Sequence, residues 1–436
     1  MSLAGKKIYL KAYDEIGNYL GSYTADKLGL TQRGFDVVME LYGDYAVAYT
    51  SRGDVIHKSD EHVEVFEKVF DYLRGIGGGT LISRGTFRIS RNISSGATDS
   101  VMCDNLTWIG YNTKIIAEHT GSGSETIRFI NSKNLRIFGL ELDLNNNAYR
   151  GLAILRDAGY EVKNIHIEDI VIKNQPSESD TWTFIIWDRE NARSIENVIV
   201  RNVKLQDCLG SRLENFIISL AKNVYVENIR LDNVGYGFNV YRCDHATIKN
   251  VHVYGKANVY LASNDMLAEH VKLINPDDTV EKVIQIRAQA DEPRSTEHVT
   301  LVKPYMYNAG MTLVGDTDTD TWVRDVLIIE PYAYNRAVGH GIVINPNVEK
   351  VRIIGGETSY HDKSGLFVES GTSDIWVIGL VAKNNDQVGG DWAGIQTKGD
   401  NVFLIFPRIY DDQDTPTQTY AFRIQAGKVF WYGGYV

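Results

Sequence analysis

One short pattern keeps returning from about residue 126 onward, and it restricts this chain more than any other feature. "VKNIHIEDIVIKN" (162–174), "IENVIVRNVKLQD" (195–207) and "AKNVYVENIRLDN" (221–233) each read as an alternating strand, a kink and a second alternating strand. Between the copies lies a third strand, as in "FIIWDRE" (184–190), "FIISLA" (216–221) and "FNVYRCD" (238–244). The period is roughly 20–33 residues, within the range of solenoid repeats. Three short strands cannot bury their inward side chains alone, whereas stacked copies form parallel sheets around a continuous apolar interior. A sandwich would need hairpin turns such as Asn-Gly, which are scarce, and a propeller blade is longer than this period. The pattern therefore predicts an all-β, right-handed single-stranded parallel β-helix solenoid of about a dozen coils.

The stretch "RGIGGGTLISRGTFRIS" (74–90) fits the same reading. Its glycines follow an apolar-periodic segment (Val65, Phe66, Val69, Phe70, Leu73) and precede strands, the reverse of the strand-then-helix order of a phosphate loop. An open solenoid end exposes its core and its unpaired edges, so residues 63–74 are expected to form an amphipathic capping helix. Residues 1–60 read as a small N-terminal strand-rich module, used for attachment or capping, and 61–436 as the β-helix.

Composition removes several alternatives. A net charge of −11 argues against nucleic acid as a partner, and three scattered cysteines make neither a disulfide framework nor a zinc site. No run reaches the ~18 apolar residues of a membrane helix, and no signal-peptide h-region is evident. The 25 Tyr, 39 Gly and 8 Pro suit a β-rich chain with many tight turns.

A solenoid works through one face built from equivalent positions on successive coils. In the third strands Phe184, Phe216, Phe238, Val259 and Ile284 align inward, as do Ile186, Ile218, Val240, Leu261 and Ile286. The outward slots hold Trp187, Ser219, Asn239, Tyr241, Tyr260, Gln285 and Arg287, with Trp182, Tyr236, Arg242 and His245 close by. Flat aromatics interleaved with polar groups suit sugars, so these residues are expected to bind a polysaccharide or oligosaccharide. Glycoside hydrolysis needs two carboxyl groups flanking the bond, and the candidates are Glu214, Asp188, Asp244, Glu190 and Asp180. The alignment puts Glu190 and Asp244 in one column two coils apart, with Lys222 between them.

The helix, "GGGT", strand and "GTFRIS" (85–90) together resemble the start of the pectin-lyase-like β-helix superfamily, over roughly residues 60–436. That superfamily includes polygalacturonases, pectate lyases, alginate epimerases and phage tailspike depolymerases. The resemblance implies a polysaccharide-active enzyme, first a glycoside hydrolase, with a lyase or uronate C5-epimerase using Tyr241, His245 and Arg242 as the alternative. A non-catalytic glycan-binding spike is the third reading. "GHGIVI" (339–344) echoes a polygalacturonase motif, but the companion aspartates and the later Arg-Ile-Lys are missing. "YRCDHA" (241–246) shares a Tyr and Asp spacing with alginate epimerases without their Pro and Glu. "DTDTD" (316–320) lacks a following Glu ligand, so neither metal nor cofactor is expected. Tailspike likeness further implies an extracellular or virion-associated homotrimer, with no membrane contact and with aromatics such as Trp376 and Tyr360 at its interface.

Overall fold

A computed structural model describes residues 9–13, 19–24, 35–93, 102–157, 159–177, 182–190, 192–210, 215–276, 282–288, 294–334 and 339–436. Asp180 and Glu214 lie outside the described residues. The fold is the parallel β-helix that the repeats predict. Among the described residues its first sheet runs through thirteen successive parallel pairings that link fourteen strands, where about a dozen coils were expected. Each coil turns through a first strand, a second strand and a third, as in 165–168, 170–175 and Phe184–Asp188. The inward columns are as aligned: Phe184, Phe216 and Phe238 are fully buried and stack at centroid spacings of 4.8 and 4.9 Å. Burying each ring contributes about 1.5–3 kcal/mol.

Single residues in the left-handed region turn the chain at the corners. Asn105, Asn134, Asn164, Asn197 and Asn223 hold φ of 53–58° at one corner, and Asp169, Asn202, Asn228 and Asn250 hold 52–57° at another. Asn tolerates this backbone better than other non-glycine residues, and its side chain adds a second service. Each amide donates to the oxygen of the residue one coil before: Asn134 to Asn105 at 2.7 Å, Asn164 to Asn134 at 2.7 Å, Asn228 to Asn202 at 3.0 Å. Later coils replace the first ladder with His and Asp, and His298 lies 3.1 Å from Asp265. His245, expected to touch sugar, is a rung of this ladder at φ 56° and 3.4 Å from Asp265. Its repeat position demanded a corner residue.

The helix α1 (His62–Gly75) closes the N-terminal end. Phe66 packs edge-on against Phe87, and Phe70 against Trp108 and Phe129, at 5.2–5.8 Å. At Gly78 (φ 114°) an added Cβ would come within 2.6 Å of Asp104 O and the Asn105 Cβ, so only glycine allows this tight exit into the first coil. Residues 37–59 share this cap. Val37–Tyr42 pairs parallel with Gly79–Ile89 and antiparallel with Tyr45–Thr50, and Val37, Met39, Ala46 and Ala48 join the same core. Tyr9–Tyr13 and Tyr19–Thr24 form a separate antiparallel pair.

The ladder gives a direct prediction. Asn228→Ala should cost about 2–3 kcal/mol, combining left-handed backbone strain with lost hydrogen bonds. Asn228→Gly keeps the backbone free and should cost less. Equal losses in denaturant unfolding would show that backbone conformation is not what selects Asn there.

Candidate functional site

The outer face of the third sheet brings most of the expected aromatic residues together. Trp187, Ser219, Tyr241 and Ala262 are in register on successive coils, and beside them run Ile185, Ile217, Asn239, Tyr260, Gln285 and Thr312. At its N-terminal end the face is apolar. Ile130, Ala153, Leu155, Ile185 and Ile217 form a small cluster outside the main core, and Met102, Trp182, Trp187 and Tyr241 pack against it. Trp182 meets Trp187 edge-on at 6.2 Å and carries the Arg150 guanidinium 4.4 Å over its ring. Farther along, Arg242 lies over Tyr241 at 5.4 Å and Arg287 over Tyr260 at 5.8 Å. Tyr236 stands at the entrance to the third strand, its backbone N–H donating to Asn215.

Four polar atoms around this face are buried without a hydrogen-bond partner among the described residues: Trp182 Nε1, Ser219 Oγ, Asn239 Oδ1 and Arg294 Nη1. Each unmet group costs about 1–3 kcal/mol, a cost that ligand hydroxyls or water would offset.

The carboxylate candidates separate sharply. Asp188 is fully buried: one oxygen takes Arg156 at 2.8 Å and the Glu190 N–H, and the other takes the Ser194 N–H. It staples a corner, and its full burial keeps it from a substrate on the outer face. Glu190 is exposed in the turn that follows. The column expected to join Glu190 to Asp244 holds Glu196 instead, since Glu196, Lys222 and Asp244 are in register. The misplacement came from the corner, where the residues after the third strand belong to a turn and not to the next column. Asp244 alone among the described candidates stands half-buried at the groove rim, 2.6 Å from Arg294 and 4.0 Å from Arg193.

Those two arginines were not anticipated. Their signal is a repeated segment, "RSIENV" (193–198) and "RSTEHV" (294–299), which places an Arg at the same corner of two coils. Also unanticipated is Glu125, a buried carboxylate held between Arg128 at 3.1 Å and Arg150 at 3.2 Å. Among the described residues arginine thus outnumbers carboxylate along the groove, although the whole chain is acidic. The cysteines take no part: burial pushes the Cys103 thiol up to about 11 and those of Cys208 and Cys243 to about 12, which leaves no thiolate at neutral pH. "DTDTD" is a turn in which Asp316 accepts the Asp318 and Thr319 N–H groups. His340 stacks on Phe367 at 4.6 Å and is closed off by Trp392.

No protein-family model matches the chain, and no curated protein matches it. Among solved structures it is similar to the mannuronan C-5 epimerase AlgE6 A-module of Azotobacter vinelandii, with 13% identity, 86% of this chain and 94% of that chain covered, and a TM-score of 0.43. It is similar also to tailspike protein 3 of bacteriophage CBA120 (10% identity, 84% and 58% covered, TM-score 0.33). The periplasmic alginate epimerase AlgG is a third (12%, 81% and 78%, 0.29). At these identities the likeness is one of fold.

The Asp188 assignment is open to test. Arg156→Met should lower stability by about 3–5 kcal/mol, because it strands a buried charge. Any loss of activity should follow the unfolded fraction. Activity lost at unchanged stability would return Asp188 to the chemistry.

Proposed function

We propose that the protein binds and acts on an acidic polysaccharide lying along the outer face of the third sheet. The observation that carries this reading is the clustering there of Trp182, Trp187, Tyr241 and Tyr260 with buried, unpaired polar atoms and an excess of arginine. Aromatic rings hold sugar C–H faces, the polar atoms take hydroxyls, and guanidinium groups pair with uronate carboxylates.

The arginines favour proton abstraction. With the substrate carboxylate paired to a guanidinium, a base takes the proton from C5 and negative charge builds on that carboxylate, where fixed cations stabilise it. In an elimination the C4–O bond breaks, a C4–C5 double bond forms and the leaving oxygen takes a proton from Tyr241. An epimerase would instead return a proton to the opposite face of C5.

Hydrolysis is the second reading, favoured by the half-buried Asp244 carboxylate at the rim. It draws its second carboxylate from Glu214 or Asp180. The chemistries separate by product: elimination yields an ultraviolet-absorbing unsaturated uronate, hydrolysis only reducing ends, and epimerisation neither but an altered NMR spectrum of the polymer. Tyr241→Phe should reduce turnover about 10²-fold or more under the first reading and leave folding intact. Absence of all three signals on a broad panel of acidic glycans would overturn both readings and leave a binding spike.

We also propose an extracellular or virion-associated setting with self-association, as a homotrimer, through the first sheet. One outward column there, after Ile82, Ile109 and Phe138, carries alternating charges on Glu168, Arg201, Glu227, Lys249 and Glu269. It then turns apolar as Val302, Ile329, Ile354, Ile378, Ile405 and Tyr432. Beside it Trp376, Phe403 and Phe430 stack at 4.2 and 4.8 Å. A straight apolar stripe of this kind is characteristic of a contact surface. Light scattering at micromolar concentration should give three chain masses, and Phe403→Asp should give one. A single-chain mass for the unaltered protein would refute self-association.

A further inference from the structure

The second sheet carries a feature that the third-sheet groove does not use. Lys204, Arg230, His252 and Lys272 stand in register on four consecutive coils, all facing outward. Like charges in register repel, and on the first sheet the same chain alternates sign from coil to coil. Among the described residues only Asp232 answers the row closely, 2.8 Å from Arg230 and 3.6 Å from Lys204. Lys272 has no carboxylate contact among the described residues; its ammonium sits 4.9 Å over the Tyr305 ring. Tyr305 opens a slab of tyrosines, stacked on Tyr332 at 5.1 Å, with Tyr307 on Tyr334 at 5.6 Å.

The basic row floors a cavity of about 500 Å³, lined also by Gln206, by the carboxylates of Asp207 and Asp232, and by Tyr254, which is 48% exposed. Ligand sites are typically about 300–1,000 Å³. With coils about 4.8 Å apart, Lys204 and Arg230 are neighbours and Lys272 lies two coils beyond Arg230, a spacing suited to a polymer with repeated negative charge. Burial, then the charges of Lys272 and Arg230, holds His252 below the ordinary histidine range, so it stands as a neutral imidazole between two cations. The tyrosine pairs have a sequence signal in "KPYMYN" (303–308) and "EPYAYN" (330–335).

We infer that this trough on the second sheet is a separate binding site for an acidic oligosaccharide, with Lys204, Arg230 and Lys272 pairing to its anionic groups, the neutral His252 hydrogen-bonding between them and Tyr254 stacking on a ring. The site needs no chemistry in the third-sheet groove, and it would hold a long chain while another segment occupies that groove.

The test is a lysine-acetylation footprint of the full chain, read by mass spectrometry against increasing oligogalacturonate. Lys272 and Lys204 should be protected while Lys428 is not, and neutral dextran oligomers should protect neither. His252→Ala and Tyr254→Ala should raise the half-protecting concentration at Lys272 about 5-fold each. Lys272→Glu, read at Lys204, should raise it about 10-fold or more. Trp187→Ala, in the other groove, should leave it unchanged, and product assays on the same variants keep the two sites distinguishable. The inference fails if oligogalacturonate protects neither lysine, if Trp187→Ala abolishes the protection, or if an oligonucleotide of matched charge protects them equally well.

Discussion

Everything in this protein depends on each coil sitting in register on the coil before it. Backbone hydrogen bonds between parallel strands supply much of that attraction, but they would tolerate a slip. The corner ladders do not. A side-chain amide that must reach its counterpart one coil away, from a residue pinned in the left-handed region, fixes the position of every strand that leaves the corner. A slip by one residue would also turn each inward Phe, Ile or Val to solvent, so ladder and core enforce the same register.

With register fixed, a column of residues becomes the unit of function. The three outer faces then carry different chemistry on one scaffold. The first passes from alternating charge to an apolar stripe, the second from a basic row to stacked tyrosines, and the third holds tryptophan, tyrosine and arginine over a small apolar cluster. None of these surfaces disturbs the core, because alternate residues of the same strand face inward. The ends are a separate problem, and at the N-terminus α1 with the 37–59 hairpins covers the first coil.

How much of this was legible in the sequence follows from the same physics. Period-2 alternation reports inward and outward positions faithfully, so the Phe184, Phe216 and Phe238 column and the facing Trp187, Ser219 and Tyr241 are legible in the sequence alone. Corners were not. Their lengths differ from coil to coil, which misaligned Glu190, hid Glu196 and made His245 look like a site residue when it is a ladder rung. Whether a carboxylate is free or ion-paired depends on a partner some thirty residues away, as with Asp188 and Arg156, and no local pattern encodes that distance. The Arg193 and Arg294 repeat was present in the sequence but reads as structural until both side chains meet at Asp244.

The central claim is that the third-sheet face is where the polymer lies, and crystals grown with an oligouronide test it most directly. The account predicts sugar rings along that face between Trp182 and Arg287, with hydroxyls bonded to Asn239 and Ser219 and a carboxylate against Arg294. Crystals that bind the oligouronide elsewhere, and leave this face empty, would contradict it.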